Sequence, residues 1–293
     1  MTAHKQTWLD ALHHASRQLR EAGIEAPLRD ARLLLSEVLG ADSARLILME
    51  TDPVSEAELD RFSEMVTRRA AGEPVSRIKG RREFYGREFQ VGPGVLDPRP
   101  DTEVLVDACL ARLPRGGRLL DLGAGSGCIL LSVLAERSDA SGVGIDISET
   151  ALAIAQTNAQ DICPGERVAF YLADWTRRDW TDCVSGSAFD IVVSNPPYIP
   201  SADIADLGRD VRSFDPLLAL DGGRDGLDAY RRIVSAAPGL VCPGGWLIFE
   251  VGIGQAGDVT ALVAAAGFSD LGALRDLTGR RRAVIGRRPE SRG

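Results

Sequence analysis

Asn195-Pro196-Pro197-Tyr198 is the run whose residue types point to the most specific chemistry. It follows directly on Asp190-Ile191-Val192-Val193-Ser194, which reads as a buried strand. Two prolines fix the backbone and remove two N–H donors, leaving carbonyls free to accept. A primary amide or an exocyclic amine offers two N–H groups. The Asn195 side-chain oxygen can take one and the Pro196 carbonyl the other, while Tyr198 packs on the flat face of the target. A nitrogen held in this way is aimed at an electrophile, so positioning supplies much of the rate. The same two acceptors stabilise positive charge as it develops on that nitrogen. No histidine or cysteine base is required. The competing reading is a proline-rich turn that merely ends a strand.

A second motif can hold a cofactor. In Leu119-Leu120-Asp121-Leu122-Gly123-Ala124-Gly125-Ser126-Gly127-Cys128 an apolar strand runs into a glycine-rich turn, and a helix follows. Glycines let backbone approach a ligand closely and expose amides at the helix N-terminus. The spacing is G-x-G-x-G; the dinucleotide fingerprint would need glycine where Cys128 stands. Asp146 closes the next apolar run, Gly144-Ile145-Asp146. A carboxylate there can accept from both hydroxyls of an adenosine ribose, or it can cap the helix that starts at Ser148-Glu149-Thr150. The glycine loop upstream favours the ribose. Asp174-Trp175 follows a third strand. The acid can bond an adenine amino group and the ring can pack on the base; a loop aspartate beside a core tryptophan is the plain alternative.

The elements that must position these residues are legible in the periodicity. Strand-like runs at Arg118–Leu122, Val143–Asp146, Val168–Leu172, Phe189–Ser194, Gly245–Val251 and Ala283–Gly286 alternate with helical stretches. The helical stretches include Thr102–Leu113, Ile129–Glu136, Glu149–Ala159, Ala229–Ala237 and Val259–Ala266. That alternation predicts a parallel sheet covered on both faces, with the final strand antiparallel at an edge. Before it, three amphipathic helices are expected near Trp8–Leu19, Pro27–Leu39 and Ser55–Ala70, forming a small bundle. Residues 84–91 read as a β-hairpin between the two parts.

Composition bounds the function classes. The chain has 293 residues, 44% of them hydrophobic, enough for a full α/β core and a second, smaller domain. No run of 18 or more apolar residues exists and the first residues do not read as a signal peptide, so the expectation is a cytoplasmic protein with no membrane partner. The five cysteines are odd in number with no C-x-x-C pair, and His4, His13 and His14 lie far from them in sequence; no disulfide framework and no metal are expected. Residues 1–85 hold 13 basic and 14 acidic side chains, so nearly all of the net charge of −8 falls on the remainder. A protein that grips a polyanion usually shows the opposite balance.

Taken in order, these motifs resemble the Rossmann-like class I S-adenosylmethionine methyltransferases, and the fuller pattern resembles the release factor glutamine methyltransferases, the PrmC/HemK family. The likeness covers about Pro74 to Arg288. It includes Arg82-Glu83-Phe84-Tyr85, Pro98-Arg99-Pro100-Asp101-Thr102-Glu103, Asn195-Pro196-Pro197-Tyr198-Ile199, Asp210-Val211-Arg212, Phe214-Asp215-Pro216 and Ala219-Leu220. The resemblance implies an α/β fold: a mostly parallel seven-stranded sheet preceded by a helical bundle and a hairpin linker. The expected divisions are residues 1–75 for substrate recognition, 76–97 for the hairpin and 98–293 for the S-adenosylmethionine-dependent domain. It implies that Gly123, Ala124, Gly125, Ser126 and Gly127 line the cofactor with Asn195, that Asp146 holds its ribose, and that Asp174 and Trp175 lie at its adenine. Asn195, Pro196, Pro197 and Tyr198 would hold the substrate, with Asn195, Pro196 and Tyr198 as the catalytic set. The substrate would be the glutamine of the Gly-Gly-Gln loop of bacterial peptide chain release factors. Asp97 departs from the family, which usually has an apolar residue there, often isoleucine; the roles of Arg99 and Thr102 stay open.

Two other readings remain. An amino methyltransferase acting on adenine or guanine of DNA or RNA shares the N-P-P-Y logic. The acidic balance and the lack of a recognisable nucleic-acid-binding module speak against it, and no stable nucleic-acid partner is expected. A non-catalytic binding module could keep the fold, but the intact glycine loop, Asp146 and Asn195 together favour activity.

Overall fold

The computed structural model describes residues 7–49 and 51–290, which form two compact units. The first holds the chain through Arg81 together with Gly208–Phe214; the second holds Arg82–Leu207 and the chain from Asp215.

The first unit is helical. α1 (Trp8–Glu21) starts at a capping box in which Thr7 and Asp10 each bond the other's backbone amide. α2 (Pro27–Leu39) has proline in its first turn and ends at Gly40, whose φ of 57° only glycine adopts freely. α3 (Ser43–Met49) follows, then α4 (Glu56–Ala70), capped by Ser55, and α5 (Val75–Lys79). The core joins Trp8, Leu12, Leu19, Leu34, Leu35, Phe62 and Val66, with Trp8 and Phe62 edge to face at 6.3 Å. His13 and His14 are exposed on α1; His4 lies outside the described residues. α3 and α5 were not expected. They are short, and α3 buries Leu46 while leaving Ile47 and Leu48 64% and 80% exposed, so neither shows an apolar stripe. α9 (Arg209–Phe214) belongs to this unit.

The second unit begins with the hairpin β1 (Arg81–Phe84) and β2 (Arg87–Gln90). It is anchored: Phe84 and Phe89 are fully buried, and Asn158 bonds both the amide and the carbonyl of Gln90, at 2.7 and 3.1 Å. Then come α6 (Glu103–Leu110), β3 (Arg118–Leu122), α7 (Cys128–Glu136), β4 (Ser141–Asp146), α8 (Glu149–Ile162), β5 (Val168–Leu172) and β6 (Phe189–Ser194). α10 (Leu217–Leu220), α11 (Asp228–Leu240), β7 (Val241–Glu250), α12 (Ala256–Ala265), β8 (Ser269–Arg275) and β9 (Arg281–Arg287) complete it.

The seven strands order as β5-β4-β3-β6-β7-β9-β8. All neighbours are parallel except those of β9, which runs antiparallel to both β7 and β8. The final strand is therefore antiparallel as expected but interior; β8 takes the edge. β8 escaped the sequence reading because it is mostly exposed, is broken by Gly272 and carries Asp270 at a φ of 47°. Alternate residues of the central strands face opposite layers. Leu119, Ile191, Val193 and Ile248 pack under α6 and α7, while Leu120, Val192, Leu247 and Phe249 pack under α11 and α12. The strand order reverses between β3 and β6, so the carboxyl ends of these two strands flank the crevice where such sheets bind ligands.

Candidate active site

A cavity of about 460 Å³ opens at that crevice. Gly123 and Gly125 of the β3–α7 turn, Asp146 at the end of β4, Asp174 and Trp175 after β5, and Asn195 and Pro197 after β6 all line it. The structure thus brings four motifs separated along the chain to one wall. Ala124, Ser126 and Gly127 do not reach it: the first two are buried beneath the turn, and Gly127 packs on Leu131 and Ala155. Pro196 is buried, and Tyr198 lies behind the lining.

The glycine turn has the geometry of a cradle. Gly123, Gly125 and Gly127 all adopt positive φ, at 76°, 57° and 79°. A Cβ on Gly123 would stand 3.2 Å from the Trp175 ring, whereas the same position on Gly125 meets nothing within 4 Å. Asp146 holds the turn in place: Oδ2 accepts from the Gly125 amide at 2.8 Å and Oδ1 from the Ser148 amide at 2.9 Å. Ser148, not Asp146, caps α8 through its hydroxyl. Burial pushes the Asp146 carboxyl upward, with the amides of Ser148, Gly125 and Ile147 opposing it. Asp174 accepts from the amide and hydroxyl of Thr176, both at 2.7 Å, so it also builds its own loop.

Asn195 is half-buried, and Ser194 just before it ties β6 to β3 through a 2.6 Å bond to the Leu122 carbonyl. The Asn195 amide nitrogen donates to the Thr102 hydroxyl at 3.4 Å, which leaves its oxygen free to accept. Tyr198 donates to Glu250 at 3.4 Å. Its own carbonyl is clamped by the Gln255 side chain at 2.9 Å. Burial and the nearby Glu250 charge push the Tyr198 phenol well above its ordinary range, so it stays a neutral donor.

Residues 10–80 match the family model of the PrmC N-terminal domain, and residues 96–207 that of the methyltransferase small domain. A release factor glutamine methyltransferase of Rhodospirillum rubrum is 47% identical over 272 residues, 92% of this chain and 82% of its own. One of Cereibacter sphaeroides is 43% identical over 280 residues, 96% of this chain and 98% of its own. The chain belongs to the release factor glutamine methyltransferase family. A solved methyltransferase of Pyrococcus furiosus shares the fold at a TM-score of 0.53 and 14% identity, covering 78% of this chain and 98% of its own.

This methyltransferase holds functional candidates that motif reading passed over. Glu250 ends β7 only 2% exposed, and its Oε2 has no partner at hydrogen-bond geometry among the described residues. Burial raises its carboxyl to about 7, against the pull of the Thr102 hydroxyl, Arg282 and Tyr198. Asp121 on β3 is fully buried and likewise raised to about 7 by burial. The signal was present in both cases: one acid inside an apolar run, Leu119-Leu120-Asp121-Leu122 and Leu247-Ile248-Phe249-Glu250-Val251. Gly222 and Gly226 were missed too. A Cβ there would stand 2.8 Å from the Pro197 carbonyl oxygen and 2.3 Å from that of Tyr198, so both glycines make room for the N-P-P-Y backbone. Arg99 is no solvated loop cation; it pairs with the buried Asp215 at 2.8 Å. A larger, open depression of about 860 Å³ between Leu113 and Asp139 lies at the amino end of the sheet. Within it Arg137 pairs with Asp139, which also accepts from the Gly116 amide, and Glu136 pairs with Arg87.

Proposed function

We propose that this enzyme transfers a methyl group from S-adenosylmethionine to the side-chain amide nitrogen of the glutamine in the Gly-Gly-Gln loop of bacterial peptide chain release factors, in the cytoplasm. The reading rests on family membership and, at the site, on one observation: Asn195 lines the cavity and gives one N–H to Thr102, which leaves its oxygen to accept. A glutamine side chain supplies the matching donors.

The residues present fit the cofactor. The open side of Gly125, the two remaining lone pairs of Asp146 and the Trp175 face suit an amino-acid-bearing nucleoside, in a cavity sized for a small molecule. Gly123 and Gly125 would approach it by their backbone, Asp146 would take the ribose hydroxyls, and Asp174 with Trp175 would meet the adenine. Bound there, S-adenosylmethionine supplies a methyl group on a positively charged sulfur. Asn195 and the Pro196 carbonyl hold the two amide hydrogens. Pro197 walls the slot, and Tyr198, behind the lining, would need to turn toward the cavity to pack on the amide plane. The acceptors would steady the charge on nitrogen as the N–C bond forms and the sulfur–methyl bond breaks, and the amide proton would then pass to solvent water. The helical first unit, about residues 1–75, would recognise the rest of the release factor, with residues 76–97 leading into the methyltransferase part, 98–293.

The test is transfer of labelled methyl to a purified release factor. A factor changed only from glutamine to alanine in its Gly-Gly-Gln loop should accept none. Labelling of DNA or ribosomal RNA, with none on the release factor, would reject the substrate and keep the methyltransferase.

A further inference from the structure

Glu250 touches both ends of the motif that defines the site. It accepts from the Tyr198 hydroxyl at 3.4 Å, and the nearby Thr102 hydroxyl, which lowers the carboxyl's pKa, receives the Asn195 side-chain amide at 3.4 Å; Oε2, without a partner among the described residues, is left for Thr102 to fill. These contacts are long, as expected where a site tightens only around its substrate. β7 lies beside β6 in the sheet, with Ser194 in register with Phe249, so the acid one residue on stands next to Asn195 by construction.

We propose that Glu250 is a positioning residue: acting through Thr102, it sets which edge of the Asn195 amide faces the cavity and so makes the enzyme select an N–H donor. The inference rests on the reading of Asn195 given above. An ionised carboxylate only accepts, while a hydroxyl has one hydrogen to give. If Thr102 gives that hydrogen to Glu250, only its lone pairs are left for Asn195. Asn195 must then turn its NH₂ to Thr102 and its oxygen to the substrate. With a donor at position 250 the chain of bonds reverses: Thr102 accepts from it, gives its hydrogen to the Asn195 oxygen, and Asn195 shows its NH₂ to the cavity. That edge suits a carboxylate better than an amide.

Burial works against the ionised form, and Thr102, Arg282 and Tyr198 pull back toward it. Arg282 on β9 faces Glu250 and pairs with Asp101 at 2.8 Å, while Asp101 itself opposes the charge. Tyr198 donates from the N-P-P-Y loop, Tyr230 of α11 donates to the Glu250 main-chain carbonyl at 2.7 Å, and the Cys128 thiol of α7 lies within its field. Burial holds the carboxyl near 7, so the relay should be fully set only above neutral pH.

Four variants test this in the full-length enzyme: Glu250→Gln, Glu250→Asp, Thr102→Val and Thr102→Ser. Melting and S-adenosylhomocysteine affinity within about twofold of wild type certify the fold of each. Glu250→Gln and Thr102→Val should then lower kcat on intact release factor at least tenfold, and Thr102→Ser should stay near wild type. Wild-type kcat should rise from pH 6 to pH 8, and Glu250→Gln should be flat across that range. Release factor carrying glutamate in place of the target glutamine serves as a competitor. Glu250→Gln should bind it relatively better by about tenfold, the equivalent of one hydrogen bond. Should Glu250→Gln fail to fold, Thr102→Val and Glu250→Asp carry the same comparison. Unchanged kcat and an unchanged glutamine-to-glutamate ratio in folded Thr102→Val would overturn the relay. A wild-type enzyme that never labels release factor would instead overturn the function on which it rests.

Discussion

Replacing Asp146 by asparagine separates the loop-holding role of this carboxylate from its proposed grip on the ribose. Its oxygens already accept from the amides of Gly125 and Ser148, at 2.8 and 2.9 Å, and each keeps one lone pair for a nucleoside hydroxyl. Asparagine retains one acceptor and turns an NH₂ toward a backbone amide that can only donate or toward a hydroxyl that was donating. At least one charge-assisted bond to the cofactor is lost, about 1.5–3 kcal/mol, or roughly ten- to 150-fold in affinity. Fold stability should fall by roughly 1–3 kcal/mol, because either the Gly125 or the Ser148 amide loses its acceptor, so affinity is compared in protein shown to be folded. Isothermal titration with S-adenosylmethionine reads the affinity, and circular dichroism melting checks the fold. A folded Asp146→Asn protein that binds within twofold of wild type would refute the ribose assignment.

Two further substitutions probe the neighbouring residues. Asn195→Ala should leave cofactor affinity within about twofold and cut methyl transfer by at least about a hundredfold, since it removes an acceptor needed as charge develops; parallel loss of both would misplace the residue. Asp121→Asn should change the pH dependence of stability. The raised carboxyl contributes stability that is complete below its unfolded value near 3.8 and is lost as pH climbs through about 7. Wild type should therefore weaken against Asp121→Asn between pH 5 and pH 8, by up to about 2.5 kcal/mol. Equal pH slopes in paired denaturant titrations would show that folding does not raise the Asp121 carboxyl.

Strands and motifs were readable where burial imposed a pattern. β3 and β6 begin and end where the apolar runs do, since each is wedged between layers and polar substitution there is costly; β5, though half-exposed at the edge, keeps the same apolar run. β7 starts four residues before the expected Gly245, because Cys242-Pro243-Gly244 hides its first turn of strand behind turn-forming residues and the pairing with β6 shifts there. Short helices and an exposed edge strand left no comparable trace. The candidate site was legible in the same uneven way. Gly123, Gly125, Asp146, Trp175 and Asn195 announced themselves because each ends a strand at the carboxyl edge. Thr102 and Glu250 did not, because their role depends on β7 lying beside β6, a pairing that local sequence does not encode.

That difference bears on how the reaction is controlled. A motif such as N-P-P-Y supplies acceptors, but an asparagine side chain can present either edge of its amide with almost no change of shape. The motif alone therefore leaves the chemical sense of the pocket undetermined. Something buried must choose, and Glu250 on β7, two strands from β3 and hydrogen-bonded by Tyr198, is placed to do so when ionised. Burying that acid costs several kcal/mol unless its partners compensate. Retaining it where an apolar residue would stabilise the sheet is intelligible if the acceptor sense of Asn195, and with it the choice of an amide over a carboxylate, depends on the charge.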